Sequence, residues 1–434
     1  MAHTKSRRPG IFFESDIDVK EHDSADSEKK GSSKGGGAKG SVWEYLAIAT
    51  IPLVLVLGNS TIVPVLPQME RELGISQFQS SLTITLFSLA AGLFIPILGY
   101  LSDRFTRKGI IIPSLIVYGA AGILAGFGAV WNSYTIVIIA RALQGLGAAG
   151  TAPIAMALVG DLYKGGSESK VLGILEASNG TGKVLSPIIG SALALIVWYA
   201  AFFAFPVFCA IALVAVMFLI KEPKKKAEPK KLKEYLHSIG SILKEKGRWL
   251  ITSFIAGSLG LFILFGILFY LSNILEEPPY SIEGVMKGLI LAIPLLAMVS
   301  TSYITGAKIK KNGVLMRWLM NIGLAMMTVA LGVATLFTKN IYLLIGFITV
   351  SSIGTGLLLP CLNTLITGAV QKSERGAITS IYNSLRFLGV AAGPPLFDFL
   401  MNKSDQLVFT TVGALSLITL GLVFFLIKPD KKVS

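Results

Sequence analysis

The sequence is short of charged residues, which make up only 15% of its 434 positions. Soluble domains of average composition have about a quarter of their residues charged. The hydrophobic fraction is 53% and the mean hydropathy is +0.69, so apolar residues dominate. This composition excludes a disordered chain and argues against a soluble globular enzyme.

Histidine and cysteine are also scarce, and their positions exclude several kinds of site. The three histidines, His3, His22 and His237, lie outside every long apolar run, which excludes a histidine metal site or proton relay within those runs. The two cysteines, Cys209 and Cys361, lie inside apolar runs, so no disulfide framework is implied. We therefore expect no metal and no other cofactor.

Long apolar runs with almost no charge recur along the whole chain. Nearly all are long enough to cross about 30 Å of hydrocarbon as a helix that rises about 1.5 Å per residue. They predict an all-α, polytopic membrane protein with twelve transmembrane helices, at approximately residues 43–66, 80–101, 110–131, 134–158, 170–194, 198–220, 250–274, 284–305, 314–337, 341–368, 377–400 and 406–427.

Lysine and arginine are concentrated in the connections on one side of the predicted membrane. With both termini cytoplasmic, ten Lys/Arg lie between Lys221 and Arg248 alone, whereas the opposite connections have only Arg71, Lys339 and Lys403. This asymmetry follows the positive-inside rule and accounts for the net charge of +14. We expect a cell-membrane protein with cytoplasmic termini, and no nucleic-acid partner, because the charges are scattered over loops.

The chain divides into four predicted segments. Residues 1–42 hold eight Lys/Arg and seven Asp/Glu, with a Gly/Ser/Lys tract, which is typical of a disordered cytoplasmic tail. Residues 43–220 and 249–434 are each predicted to form a six-helix bundle, and residues 221–248 to form a basic cytoplasmic linker along the anionic inner leaflet.

An internal repeat supports these two halves. Matching residues recur at an offset of 207 in corresponding helices: Gly99 and Gly306, Gly147 and Gly354, Pro153 and Pro360, Gly182 and Gly389, and Pro187 and Pro394. Parallel six-helix repeats of this kind occur in a large class of transporters, which bind substrate near the midplane between the halves.

Residues 99–109 read Gly-Tyr-Leu-Ser-Asp-Arg-Phe-Thr-Arg-Lys-Gly and closely resemble the cytoplasmic-loop signature of the major facilitator superfamily. One position departs from it, because Thr106 stands where the family usually has Gly. Residues 140–149, which include Arg141 and Gln144, resemble the family's signature in the fourth helix. The resemblance extends from about residue 43 to the end and implies a carrier whose two halves rock around a central cavity.

The loop signature has a physical rationale as a latch between helix bundles. Asp103 lies where a helix ends and can pair with Arg104, Arg107 or a helix N-terminus of the neighbouring bundle. Membrane topology requires Lys and Arg but has no use for Asp, so we favour a latch over ordinary topology charges. The predicted latch residues are Gly99, Asp103, Arg104, Arg107 and Lys108.

The fifth helix bears on the direction of transport. Drug:proton antiporters of the superfamily carry Gly-x-x-x-Gly-Pro-x-x-Gly-Gly there, and residues 182–191 resemble this pattern with two glycines replaced by serine and with Lys183 added. The resemblance implies an exporter with a gating hinge, and small residues with a proline suit such a hinge. The predicted hinge residues are Gly182, Ser186, Pro187, Gly190, Gly389, Gly393 and Pro394.

Few ionisable residues lie well inside the predicted helices, namely Arg141, Glu176, Lys183 and Arg386. Each costs about 2.5–3.5 kcal/mol at the bilayer centre on insertion scales, so we expect them to face a cavity and to pair. Glu176 and Lys183 are seven residues apart and share one face of a helix, and Arg141 could lie near either.

We predict that Glu176 carries the proton, and the resemblance implies that Arg141 is the family's proton-coupling arginine. A fixed salt-bridge network without protonation is the alternative. Lys183 and Arg386 would hold anionic or polar parts of the substrate. Further polar candidates, for the cavity or for bonds between helices, are Asn59, Gln144, Asn363 and Asn383.

Residues 177–183, Ala-Ser-Asn-Gly-Thr-Gly-Lys, resemble a phosphate-binding loop only superficially. The first glycine is replaced by alanine, Val184 stands where Ser or Thr would bind magnesium, and no strand precedes the segment. We therefore expect no ATP.

The favoured interpretation is a monomeric, bacterial, proton-coupled exporter of drugs or similar amphipathic small molecules. An alternative keeps the fold and exports an endogenous anionic metabolite, such as a siderophore or a lipid intermediate, because the cavity has two or three cations against one carboxylate. A proton symporter and a sensor without transport activity are further alternatives.

Overall fold

The computed structural model describes residues 41–163, 166–222, 232–309, 312–368 and 375–428. The predicted disordered tail lies almost wholly outside the described residues, and so does part of the predicted linker. The described helices are α1 (Val42–Ser60), α2 (Leu66–Leu73), α3 (Gln77–Arg104), α4 (Arg107–Val130), α5 (Tyr134–Ala149), α6 (Ala152–Leu162), α7 (Gly166–Ala194), α8 (Ala200–Leu219), α9 (Leu232–Glu276), α10 (Gly284–Ile309), α11 (Gly313–Ala334), α12 (Ile341–Gly368), α13 (Arg375–Met401) and α14 (Asp405–Leu426).

These helices form twelve membrane crossings, which confirms the predicted all-α fold. Within the described ranges, ten crossings are apolar enough to span a membrane by composition alone. The other two are α7 and α13, the fifth and eleventh crossings, which are more polar because they carry the predicted cavity residues.

Two crossings are interrupted where the sequence predicted continuous helices. The first consists of α1, a 3-10 turn at Val63–Val65 and α2, and the fourth consists of α5 and α6. Pro64 and Pro67 lie at the first break and Pro153 at the second, each at the start of the helix that follows. Proline lacks the backbone N–H that a continuous helix needs, so the first turn of a helix is the position where it costs least.

The second part of the predicted linker is helical. Helix α9 begins at Leu232 and runs for 45 residues without a break to Glu276. Basic residues such as Lys244 and Lys246 therefore lie on a helix that is continuous with the seventh crossing.

The two predicted halves meet mainly through α3 packed on α13 and α7 packed on α10. Corresponding helices also pack alike within each half. Gly147 lies against the backbone of Tyr118 on α4, and its repeat partner Gly354 lies against the backbone of Gly323 on α11. Small residues allow membrane helices to approach this closely, so the repeat in sequence corresponds to a repeat in packing.

The two ends of the bundle are packed differently. We call the end with Asp103 and Arg107 the basic end, and the end with Arg71 and Glu276 the opposite end. At the opposite end, Ile62, Val63 and Met69 of the first half belong to one apolar cluster with residues of the second half. Toward the basic end, the first half has its own cluster, which includes Ile51, Leu115 and Val216. The halves are therefore closed against each other at the opposite end.

Candidate functional site

Charged residues from both halves meet where α7 faces α13. Lys183 interacts electrostatically with Arg386 of α13 and with Glu176 of its own helix. Tyr382 of α13 interacts with both Arg386 and Glu176. We call Glu176, Lys183, Tyr382 and Arg386 the central cluster. Three of the four ionisable residues predicted inside the membrane are thus brought together.

Arg386 is held by its own helix. Its guanidinium carbon lies 5.3 Å from the centroid of the Tyr382 ring, and its Nη1 donates to Asn383 Oδ1 at 3.4 Å. Residues three and four apart share one helix face, which explains this grouping. The buried Nε of Arg386 and the buried hydroxyl of Tyr382 have no hydrogen-bond partner among the described residues. Both groups lack a partner, which a polar ligand that reached them could supply.

Asn179 belongs beside the central cluster and was missed by the sequence reasoning. It lies on α7 between Glu176 and Lys183, and its buried Oδ1 has no described partner. The repeat offset could have found it, because Asn179 corresponds to Arg386 and Glu176 corresponds to Asn383. Each half therefore presents two polar residues three positions apart.

Arg141 is bound elsewhere in the first half. Its Nε donates to the carbonyl of Thr83 at 2.9 Å and its Nη1 to the carbonyl of Gly58 at 3.2 Å. Nη1 also donates to Gln144 Oε1 at 2.7 Å, and the guanidinium lies 4.5 Å from the centroid of the Phe87 ring. Neither Glu176 nor Lys183 is among these partners. Arg141 is fully buried and joins α1, α3 and α5.

The remaining polar candidates are dispersed. Asn59 is buried beside Gly58 in α1, and its Oδ1 has no described partner. Gln144 is bonded to Arg141, and Asn383 to Arg386. Asn363 is half-buried on α12. Asn383 alone of these four contacts the central cluster.

The predicted latch residues form an ion cluster at the basic end. Arg107 pairs with Asp103 at 2.7 Å and with Asp161, at the end of α6, at 2.8 Å. The carboxylate of Asp103 also lies near the first turn of α13. A Cβ atom added to Gly376 in that turn would lie 4.0 Å from Oδ2 of Asp103. Gly99 of α3 lies against Ser380 of α13. The cluster is thus placed between the halves, and its role as a latch stays a prediction.

The other residues of the loop signature cap helices. Thr106, the departure from the family pattern, accepts from the N–H of Gly109 at 2.9 Å and is the N-cap of α4. Lys108 Nζ donates to the carbonyls of Met217 and Ile220, at the end of α8, at 3.0 and 2.8 Å. Arg104 is exposed.

The predicted hinge residues are sites of close helix packing. On α7, Gly190 lies very close to the carbonyl of Thr61. A Cβ atom added at position 190 would lie only 2.1 Å from that carbonyl oxygen. On α13, Gly389 similarly approaches the carbonyl of Ser258. Gly182 packs on α1 and Gly393 on α9. Ser186 donates to the carbonyl of Gly182 at 2.5 Å, and Pro187 and Pro394 lie inside unbroken helices. Bending of α7 and α13 at these residues during transport stays a prediction.

Comparison with known proteins gives a consistent result. The sequence model of the Major Facilitator Superfamily matches residues 48–330 and 315–434. The chain is 43% identical over 390 residues to the Bacillibactin exporter of Bacillus subtilis (strain 168), covering 89% of this chain and 96% of that protein. It is 29% identical over 380 residues to the Multidrug efflux protein YfmO of the same organism, covering 86% of this chain and 90% of that protein.

Among solved structures, the human organic anion transporter MFSD10 (TETRAN) matches with a TM-score of 0.70 and 18% sequence identity, over 88% of this chain and 99% of that chain. At this identity the match supports the fold alone. The family match and the curated relatives go further, because both relatives are exporters and are matched over nearly their whole length. The chain therefore belongs to the major facilitator superfamily and is one of its small-molecule exporters.

Proposed function

We propose that this exporter moves an anionic metabolite of the siderophore class out of the cell and is driven by protons. The observation that carries the proposal is the charge of the central cluster. Lys183 of the first half interacts electrostatically with Arg386 of the second half, and the central cluster contains one carboxylate, Glu176, among the described residues. With all three groups ionised, the cluster has one excess positive charge.

An anion bound between the halves would balance this excess. Buried cations are costly in a membrane and repel each other, so a negatively charged ligand stabilises the pair that Lys183 and Arg386 form. Because the two cations belong to different halves, rocking of the halves would separate them and weaken the site. This gives a physical reason for release on the far side.

Glu176 is proposed to carry the driving proton. In the present structure Glu176 of α7 and Arg386 of α13 both lie close enough to Tyr382 to interact with it electrostatically. When the opposite end opens, Arg386 would move away with α13, and Glu176 would then accept a proton from the outer compartment. Return to the present arrangement would release that proton toward the basic end, which gives proton uptake outside and proton release inside.

The relatives support the choice of substrate class. A protein 43% identical over most of both chains is named a bacillibactin exporter, so bacillibactin is the compound to test first. Deletion of the gene should reduce the amount of the secreted metabolite in spent medium, and expression of the intact chain should restore it. Unchanged secretion in the deletion strain would contradict the proposal.

The two cavity cations provide the sharper test. Lys183→Gln and Arg386→Gln should each weaken uptake of the anionic substrate into inside-out vesicles by about ten- to hundredfold, because a hydrogen bond to a charged group contributes about 1.5–3 kcal/mol. Lys244→Gln, at an exposed position on α9, is the matched control and should transport normally. Normal transport by both cavity variants would exclude a substrate held by these cations.

Drug efflux is the second candidate, supported by the relative named as a multidrug efflux protein. A lipophilic cation such as ethidium would be repelled by Lys183 and attracted by Glu176. Deletion should then sensitise cells to ethidium, and Lys183→Gln should improve ethidium export. The two candidates therefore predict opposite effects of the same substitution.

We also propose that the basic end and both termini face the cytoplasm, as the distribution of Lys and Arg indicates. The natural cysteines are buried, so single exposed cysteines can be labelled against a low background. In intact cells a membrane-impermeant maleimide should label Lys339→Cys and should spare Lys244→Cys. The reverse pattern would invert the topology.

A further inference from the structure

A second set of charged residues joins the two halves at the opposite end, well away from the central cluster. Arg71 of α2 pairs with Glu276, the last residue of α9, at 2.5 Å, and Lys287 of α10 pairs with the same carboxylate at 2.6 Å. Glu276 is therefore held between one cation from each half. Glu283 lies at the exposed rim, 3.7 Å from Arg71.

Lys287 reinforces this junction from a buried position. Its side chain is only 1% exposed, and its Nζ also donates to the carbonyl of Pro64 in the other half at 2.7 Å. Beside it, the hydroxyl of Ser272 on α9 donates to the carbonyl of Val63 at 2.8 Å. The 3-10 turn of the first crossing is thus bonded to two helices of the second half.

Two further carboxylates complete the set. Glu70 of α2 accepts a hydrogen bond from the hydroxyl of Ser80 and interacts electrostatically with Asp398, Glu276 and Lys287. Asp398 of α13 is only 3% exposed. Its Oδ2 receives a long bond of 3.4 Å from Asn402, and its Oδ1 has no hydrogen-bond partner among the described residues.

The charges of this junction do not balance. Glu70, Glu276 and Asp398 are buried or half-buried carboxylates, whereas the cations that the described residues place with them are the buried Lys287 and the exposed Arg71. Counted without the exposed Glu283, these charges leave one excess negative charge when the opposite end is closed, which is costly in a region of low dielectric constant unless a proton is bound. Nearby Glu277 and Asp405 do not supply the balance, because they are acidic and interact with Tyr270.

We propose that Oδ1 of Asp398 is a proton-binding site that controls closure of the opposite end. A proton taken from water in the opposite compartment forms the O–H bond on Oδ1 and makes the junction neutral, which stabilises the closed arrangement. Loss of that proton restores the excess charge and favours opening, where water can solvate Asp398. Acidification of that compartment therefore favours closure.

The sign of this effect is testable without substrate. Spin labels at Phe78→Cys and Lys339→Cys report the separation of the halves at the opposite end, because these exposed residues belong to different halves. Glu176→Gln serves as the parent protein in this test, because the proton proposed for Glu176 is bound in the open state and would give the opposite pH response. Pulsed dipolar spectroscopy on this purified parent protein should show a larger long-distance population at pH 8 than at pH 5. For a one-proton site, the ratio of open to closed changes by up to about tenfold per pH unit.

Substitution tests whether the excess negative charge of the junction controls closure. Asp398→Asn mimics the protonated acid and should show the short distance at both pH values. Glu70→Gln removes the same excess charge from the other half and should do likewise, so the test survives if one variant fails to fold. Glu72→Gln, at an exposed position of α2, should keep the pH response of the parent protein.

Three outcomes would overturn the proposal. They are distances in the parent protein that do not depend on pH, a parent-like response in both Asp398→Asn and Glu70→Gln, and loss of the response in Glu72→Gln. Because no substrate is present, a wrong assignment of the exported metabolite leaves all of these distances unaffected.

Discussion

Replacement of Glu176 by glutamine is expected to abolish transport driven by a pH gradient. Glutamine keeps the size and polarity of the side chain but cannot carry the proton. Substrate should still bind through Lys183 and Arg386, so exchange of labelled for unlabelled substrate should persist while uphill accumulation is lost. Proteoliposomes with an imposed pH gradient measure both quantities.

The matched control is Glu168→Gln, which changes another carboxylate of α7 outside the central cluster. This variant should accumulate substrate as the parent protein does. Undiminished gradient-driven accumulation by Glu176→Gln would remove Glu176 from proton coupling and would favour a fixed salt-bridge network in its place.

Replacement of Arg141 by lysine is expected to destabilise the first half and to reduce transport more than tenfold. The guanidinium bonds the carbonyls of Thr83 and Gly58 and the side chain of Gln144, on three helices. A lysine keeps the charge but lacks the planar fork that reaches all three. Each hydrogen bond of the charged guanidinium that lysine cannot replace is worth about 1.5–3 kcal/mol.

Thermal unfolding in detergent and transport by the same preparation separate the two roles of Arg141. If its charge alone matters for coupling, Arg141→Lys should transport normally. Arg317→Lys, at a half-buried arginine of α11, is the control and should change the melting temperature little. A stable, fully active Arg141→Lys protein would contradict the structural role described here.

Much of the fold could be predicted because membrane helices have a strong compositional signal. Twelve apolar runs became twelve crossings, and the offset of 207 corresponded to matching helix contacts at Gly147 and Gly354. The errors concern helix ends, where hydropathy is a poor guide. The helices break near Pro64 and Pro153, within crossings whose hydropathy gives no sign of an interruption, and α9 extends through residues too polar to be counted as membrane.

The site was harder to predict, because its members come from different helices. The spacing of Glu176 and Lys183 placed both on one face of α7, but nothing in the sequence showed that this face meets Arg386. Arg141 was expected near one of these two residues and is instead bonded to backbone carbonyls, which leave no trace in side-chain patterns. The junction of Arg71, Glu276 and Lys287 was not predicted, because Arg71 was counted only as a loop charge and Lys287, within the predicted span 284–305, was not singled out.

The unbroken length of α9 links the two surfaces of the membrane mechanically. A helix of 45 residues is about 68 Å long, whereas the hydrocarbon layer is about 30 Å thick. Its start at Leu232 therefore projects well beyond the lipid, and its last residue, Glu276, sits in the ion junction at the far end. Because the helix is continuous, a contact that tilts the projecting segment would also move Glu276. Such a contact would therefore change how readily the opposite end opens.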